Sequence, residues 1–169
     1  ELRARMDITS VLIICPKALV AERKWLVEMK RFDEHFTALD GHMLRHCLLE
    51  THLDGEWPDQ YAKSILPFSL FDSDLIFGKA GQGRRATEGL LALDPPPKFD
   101  LVIVDEAHHI YKSSEMAKAL QKYTSKSDEL WLLADISQSL GQDIKYPDDE
   151  NMTEVTLTEV VRCTPRIMA

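Results

Sequence analysis

The chain contains several short runs of consecutive apolar residues, in which apolar and polar positions do not alternate. Residues 11–15, 101–104 and 130–133 are each almost wholly apolar, with β-branched residues prominent in the first two. An uninterrupted run of this length is typical of a strand that is buried on both faces, as in a parallel sheet covered by helices. Residues 64–71 form a fourth run, and Pro67 within it favours a bend or an edge position.

The segments between these runs show helical periodicity. After Pro16, apolar residues recur at steps of three and four and predict one long helix from Lys17 with its stripe in the core. Another helix is predicted over residues 86–93, and a third begins at Ser113 or Ser114 as its N-cap. Strands that alternate with helices favour an α/β fold. The stripe consists of Ala18, Ala21, Trp25, Met29, Phe32 and Phe36.

Two acidic residues directly follow the strand at 101–104. Asp105 and Glu106 would lie at the carboxyl edge of the sheet, where open α/β folds bind their ligands. Packing does not explain them, because burying unpaired charge is costly. A divalent cation resolves that cost: Asp105 can hold Mg²⁺ through its water shell, and Glu106 can polarise an attacking water.

The residues Asp105-Glu106-Ala107-His108 resemble the DEAH form of the Walker B motif of helicase-like ATPases. This resemblance implies a RecA-like parallel sheet and the cofactors ATP and Mg²⁺. It implies that Asp105 binds Mg²⁺, that Glu106 is the general base, and that His108 couples the ATP state to a second RecA-like lobe.

Two upstream segments resemble Swi/Snf-type superfamily 2 helicases. The strand followed by Cys15-Pro16-Lys17 and a helix is similar to motif Ia, whose turn contacts the nucleic-acid backbone. The run containing Ser69 is similar to the next backbone-contacting segment. The resemblance therefore implies that Lys17 and Ser69 contact DNA or RNA.

The last third of the chain is similar to superfamily 1, UvrD-like helicases. Ala134-Asp135-x-x-Gln138 resembles motif III, which implies that Asp135 lies at the nucleotide and that Gln138 senses the γ-phosphate. The segment that ends in Arg162 resembles the following element, motif IV, whose arginine reaches the γ-phosphate. An ordinary surface ion pair is an equally good interpretation of Arg162.

We therefore expect residues 1–169 to form a partial helicase ATP-binding domain, with a Swi/Snf-like portion at 1–112 and a superfamily 1-like portion at 113–169. The phosphate-loop pattern G-x-x-x-x-G-K-[ST] does not occur in the sequence. The chain also starts without Met. We expect a piece of a longer helicase or translocase, or a fusion of unlike pieces, which binds ATP poorly by itself.

Composition adds limits to this hypothesis. The net charge of −8 weakens the case for nucleic-acid binding, although basic residues are concentrated early in the chain. Three scattered cysteines favour a reducing, intracellular setting, in the cytoplasm or the nucleus. The apolar runs are far too short to span a membrane, so no membrane partner is expected.

Two other functions remain open. A non-catalytic RecA-like module that binds a protein or nucleic acid would explain the missing phosphate loop. A metal-dependent nuclease built on Asp105, Glu106 and His108 is the second. His108 and His109 could also form a metal site of their own, although neighbouring residues rarely converge on one ion.

A histidine-rich segment offers one more metal hypothesis. His42 and His46 stand one helical turn apart, and Cys47 or His52 could complete a zinc site. No paired cysteines accompany them, and histidine is common on helix surfaces.

Overall fold

A parallel β-sheet forms the centre of the protein. The computed structural model describes residues 7–71, 76, 78–79, 87–135, 144, 146–147, 152–153 and 155. Its strands are β1 (Val11–Cys15), β2 (Thr37–Ala38), β3 (Lys63–Pro67), β4 (Gly78–Lys79), β5 (Thr87–Glu88), β6 (Leu101–Val104) and β7 (Glu129–Leu132). Five of them pair in the order β2-β3-β1-β6-β7, all parallel, while β4 and β5 form a small antiparallel pair. The predicted α/β fold is confirmed, and its sheet is compatible with a RecA-like lobe.

Five helices connect these strands within the described residues. They are α1 (Lys17–Ala21), α2 (Lys24–Lys30), α3 (Gly41–Asp54), α4 (His108–Tyr111) and α5 (Ser114–Thr124). The side chains of Asp40 and Ser113 accept hydrogen bonds from the first turns of α3 and α5, as N-caps do. None of the described helices has the length and apolar character to cross a membrane.

Strand β1 is covered on both faces. Leu12 and Ile14 belong to the large apolar cluster that α3 and α5 complete. Ile13 and Cys15 face the other way, into a smaller cluster with side chains of α1 and α2. Each fully buried aliphatic side chain contributes about 1.5–3 kcal/mol, so the run has no polar position. This double coverage explains why the sequence shows no alternation there.

The prediction of one long helix after Pro16 is wrong. The segment forms two short helices, α1 and α2, and Arg23 between them has a left-handed backbone with φ of 56°. Phe32, expected in the core, is 68% exposed. The break changes the direction of the chain and lets Trp25 approach the carboxyl end of β6.

Two further predictions need correction. The helix predicted over residues 86–93 is wrong in its described part, residues 87–93, because Gly89 is extended and separates β5 from a short 3₁₀ turn at Leu90–Ala92. Strand β3 lies between β2 and β1 and not at an edge. The residues of β3 that pair with β2 are Ser64 and Ile65, so at Pro67 the described pairing is with Cys15 of β1, on one side of the strand.

Asp100 ties the beginning of β6 to the residues before β1. Its Oδ2 accepts hydrogen bonds from the Thr9 amide at 2.7 Å, the Thr9 hydroxyl at 2.9 Å and the Ser10 amide at 2.8 Å. The Asp100 amide donates to Ser10 Oγ at 2.9 Å. Partial burial acts to raise the pKa of Asp100, but the hydrogen bonds from Ser10 and Thr9 outweigh it and lower that pKa.

We predict that Asp100→Asn lowers the free energy of unfolding at pH 7 by about 1–2 kcal/mol, because hydrogen bonds to a charged acceptor are lost. The lowered pKa stabilises the folded chain above pH ~4 and stops doing so as the pH falls through the folded pKa. Urea unfolding at pH 7 and pH 3 should therefore show a smaller effect of the substitution at pH 3. Asp128→Asn, at an exposed ion pair with Lys98, is the control and should change little. Equal stability of wild type and Asp100→Asn at pH 7 would contradict the prediction.

Candidate functional site

The candidate site lies at the carboxyl edge of the sheet. The strand ends are in register: Cys15 pairs with Pro67, and Val104 pairs with both Ile14 and Leu132. Residues that directly follow these strands therefore reach the same edge. This is the edge at which open α/β sheets bind their ligands.

The Asp105 carboxylate is held by a residue from another element. Trp25 of α2 donates a hydrogen bond from its indole Nε1 to Asp105 Oδ2 at 3.0 Å, and the Asp105 amide donates to the Ile14 carbonyl at 2.8 Å. Both ends of the aspartate are thus fixed against the sheet. Burial, with the Asp105 charge adding to it, raises the pKa of the neighbouring Cys15 thiol to about 12, so that thiol stays protonated.

Sequence reasoning missed the role of Trp25. Its place in a periodic apolar stripe indicated a core residue, and the side chain does pack in the smaller cluster. The signal that was available is chemical: tryptophan has one N–H donor, which seeks a partner when it is partly buried. Which acceptor it meets depends on the break between α1 and α2.

Glu106 occupies a strained turn. Its φ of 55° is in the left-handed region, which costs a non-glycine residue about 1–2 kcal/mol. Three backbone hydrogen bonds hold the turn: Ala107 N–H to Leu133 O at 2.8 Å, Leu133 N–H to Val104 O at 2.8 Å, and His109 N–H to Glu106 O at 2.9 Å. The end of β7 therefore supports the conformation of the acidic turn.

Two histidines lie beside Glu106. His108 is 1% exposed, and its Nδ1 is 3.5 Å from Glu106 Oε2. In the part of the chain that the structure describes, neither of these two buried atoms has a hydrogen-bond partner. His109 is exposed, and its ring centroid is 4.3 Å from that of His108. Partial burial, followed by the charges of His108 and Lys112, lowers the pKa of His109.

The other predicted site residues are dispersed along the same edge. Lys17 is exposed at the start of α1, and Ser69 is exposed in the 3₁₀ turn Phe68–Leu70 after β3. Asp135 is exposed just beyond β7. Gln138 and Arg162 lie outside the described residues and stay predictions. The structure thus places Asp105, Glu106 and His108 in one turn, while Lys17, Ser69 and Asp135 lie elsewhere along the same edge.

The structure does not favour the alternative of a zinc site on α3. Cys47 is fully buried, with a pKa raised to about 12 chiefly by burial, whereas His42, His46 and His52 are exposed. His46 instead lies 3.9 Å from Glu50 on the same helix.

Comparison with known proteins places this chain beside a segment of much larger relatives. It is 30% identical over 141 residues to the RNA polymerase-associated protein RapA of Actinobacillus succinogenes, which covers 80% of this chain and 13% of that protein. The RapA proteins of Vibrio parahaemolyticus and Vibrio atlanticus are 27% identical over 141 residues and 26% over 146. The chain therefore spans about 13% of the length of these curated relatives. No protein-family model matches it.

The left-handed turn at Glu106 predicts an unusual order of stability for two substitutions. The free energy of unfolding of Glu106→Gly should exceed that of Glu106→Ala by about 1 kcal/mol, because glycine adopts positive φ without steric cost. Both variants lack the carboxylate, so the difference reports the backbone alone. The measurement is urea unfolding monitored by circular dichroism.

The same pair of substitutions at Glu115 is the matched control. Glu115 is exposed in the first turn of α5, where glycine should be less stable than alanine by about 0.5–1 kcal/mol. An alanine variant at 106 as stable as the glycine variant would show that this turn is not strained.

Proposed function

We propose that this chain is part of the ATP-binding lobe of a helicase-like ATPase or translocase that couples hydrolysis of Mg²⁺-ATP to movement on DNA or RNA. The observation that carries the proposal is the pair Asp105 and Glu106 at the carboxyl end of β6, with Asp105 anchored by Trp25 and Glu106 set in a strained turn. Strain stored at a charged turn is typical of functional sites. The resemblance of these residues to a DEAH motif supports the same function.

The donor set fits Mg²⁺. Carboxylate oxygens are the ligands that this hard ion prefers, often through its water shell. Trp25 occupies Asp105 Oδ2, which leaves the second oxygen of that carboxylate to face the waters of the ion. Bound Mg²⁺-ATP would supply the reactive phosphate and neutralise its charge. The Glu106 carboxylate, whose side chain is 29% exposed, would accept the proton of the attacking water.

Other residues receive roles by resemblance. We propose that His108 links the nucleotide state to a second RecA-like lobe. The nucleotide side of the edge would also include Asp135, with Gln138 and Arg162 as γ-phosphate contacts. Lys17 and Ser69, both exposed at the same edge, would contact the nucleic-acid backbone. The Swi/Snf-like portion at 1–112 and the superfamily 1-like portion at 113–169 would then differ in the motifs that they resemble and still belong to one domain. Strand β6 comes from the first portion and β7 from the second, and the two strands pair in one sheet.

The names of the relatives suggest a partner. Because they are RNA polymerase-associated proteins, we propose that the protein containing this chain works with RNA polymerase, inside the cell. The buried, unpaired thiols of Cys15 and Cys47 suit that reducing compartment. Since no phosphate-loop pattern occurs in this sequence, ATP turnover would need a cradle from elsewhere in such a protein.

Glu106→Gln tests the proposed chemistry. The experiment compares this chain with a version extended upstream in its gene, using calorimetry for Mg²⁺-ATP binding and phosphate release for turnover. In the form that binds ATP, we expect Glu106→Gln to retain binding and to lose at least about a hundredfold in turnover, because a general base contributes that much. Undiminished turnover in the variant would refute the assignment of Glu106.

Trp25→Phe tests whether the indole positions Asp105. The substitution keeps an aromatic ring in the smaller cluster and removes only the donor. We expect the Mg²⁺ concentration for half-maximal ATP binding or turnover to rise about fivefold, the equivalent of one hydrogen bond. Trp57→Phe is the control, since Trp57 donates to the Tyr61 carbonyl in the other cluster. A loss that is equal at all Mg²⁺ concentrations would mean a packing role only.

A non-catalytic binding module is the second candidate, and the missing phosphate-loop pattern favours it. Such a module would bind DNA, RNA or protein equally well with Glu106→Gln and would not bind ATP in either form of the chain. A metal-dependent nuclease built on Asp105, Glu106 and His108 would instead cleave DNA with Mg²⁺ or Mn²⁺ and no nucleotide. The calorimetric experiment and a nuclease assay therefore separate the three functions.

A further inference from the structure

We infer that Glu106, His108 and His109 form a binding site for a divalent transition-metal ion of the Zn²⁺ class. One ligand atom from each residue lies within 4.8 Å of the other two. Two imidazole nitrogens and one carboxylate oxygen are a donor set that zinc binds in many proteins, with a further position open to water. The site is separate from the proposed Mg²⁺ position at Asp105, and it does not depend on ATP hydrolysis.

The distance between two of the ligands already suits a metal. Glu106 Oε2 and His108 Nδ1 are 3.5 Å apart. In a tetrahedral zinc site with bonds of about 2.0–2.1 Å, two ligands are separated by about 3.4 Å. This spacing is long for a hydrogen bond and matches the edge of a tetrahedron. His109 is exposed, so rotation of its side chain can bring the third nitrogen to the same ion.

No hydrogen bond satisfies the two buried ligand atoms within the described residues. His108 is 1% exposed, and among the described residues neither its Nδ1 nor Glu106 Oε2 has a hydrogen-bond partner. Leaving a buried polar atom unpaired costs about 1–3 kcal/mol. A cation between the two atoms would satisfy both at once.

The turn explains how near neighbours in the sequence converge. His108 and His109 are the first two residues of α4, where successive side chains point about 100° apart, so the helix alone does not bring their nitrogens together. The left-handed backbone of Glu106 turns its carboxylate towards His108, and the rings of His108 and His109 lie with centroids 4.3 Å apart. One ligand atom of each of the three residues nevertheless lies within 4.8 Å of the others, which answers the objection that adjacent residues seldom bind one metal.

The ligand types also select the ion. Imidazole nitrogen favours Zn²⁺, Co²⁺ and related ions, whereas Mg²⁺ prefers oxygen donors throughout. Glu106 would be shared between this site and the proposed base position, so a bound Zn²⁺ would withdraw the carboxylate from proton transfer. Any ATP turnover should then fall when Zn²⁺ is added.

The test is calorimetric titration of the full chain with Zn²⁺, in parallel with visible absorption on titration with Co²⁺. We expect one ion per chain and the intense visible bands of Co²⁺ in a low-coordinate nitrogen and oxygen site. Glu106→Gln and His109→Gln should each weaken binding at least about tenfold, since even outer partners of a metal ligand have effects of that size. Both positions are at least partly exposed, so these variants should fold.

His46→Gln is the matched control. His46 is an exposed histidine that lies 3.9 Å from Glu50, and it is not a member of the group formed by Glu106, His108 and His109. Its substitution should leave the dissociation constant unchanged. Equal Zn²⁺ affinity in wild type, Glu106→Gln and His109→Gln would place the ion elsewhere and overturn the inference, and so would the absence of binding to wild type. Zn²⁺ binding by this chain, together with no ATP turnover by the upstream-extended form in the absence of Zn²⁺, would support this site while counting against the proposed ATPase.

Discussion

Burial of the central strands on both faces is the constraint on which the rest of this structure depends. Because β6 is enclosed between helices and neighbouring strands, charged groups are confined to its two ends. Asp100 at its beginning is satisfied by Thr9 and Ser10, and Asp105 at its end is satisfied by Trp25. The same strand thus carries a hydrogen-bonded carboxylate at its beginning and, at its other end, the carboxylate for which we propose a role in Mg²⁺ binding.

Strands were easier to foresee than helices in this chain, and the reason is physical. Residues 11–15 and 101–104 must be apolar at every position, so their sequence signal is direct. The helix after Pro16 has a convincing apolar spacing, yet Arg23 adopts a left-handed conformation that no spacing reveals. Tertiary contact decides that break, because it brings Trp25 and Leu26 onto the sheet.

The sequence likewise predicted some features of the candidate site and not others. Asp105 and Glu106 were visible in the sequence, since two acids after a buried strand have no packing explanation. The hydrogen bond from Trp25 and the approach of Glu106 to His108 were not visible, because both depend on backbone conformations set by distant residues. Motif resemblance alone indicated Gln138 and Arg162, and they lie outside the described part of the chain.

Strand β7 lies at the end of the sheet and beside the acidic turn. Within the described residues it is the last strand of the sheet, hydrogen-bonded to β6 alone. An open strand edge is a template on which another strand, from the same or a different molecule, can add. Since the residues after β7 also support the turn at Glu106, a strand added there would extend the sheet directly beside the carboxylates. A strand that paired with this edge would therefore also bear on the conformation of the turn at Glu106.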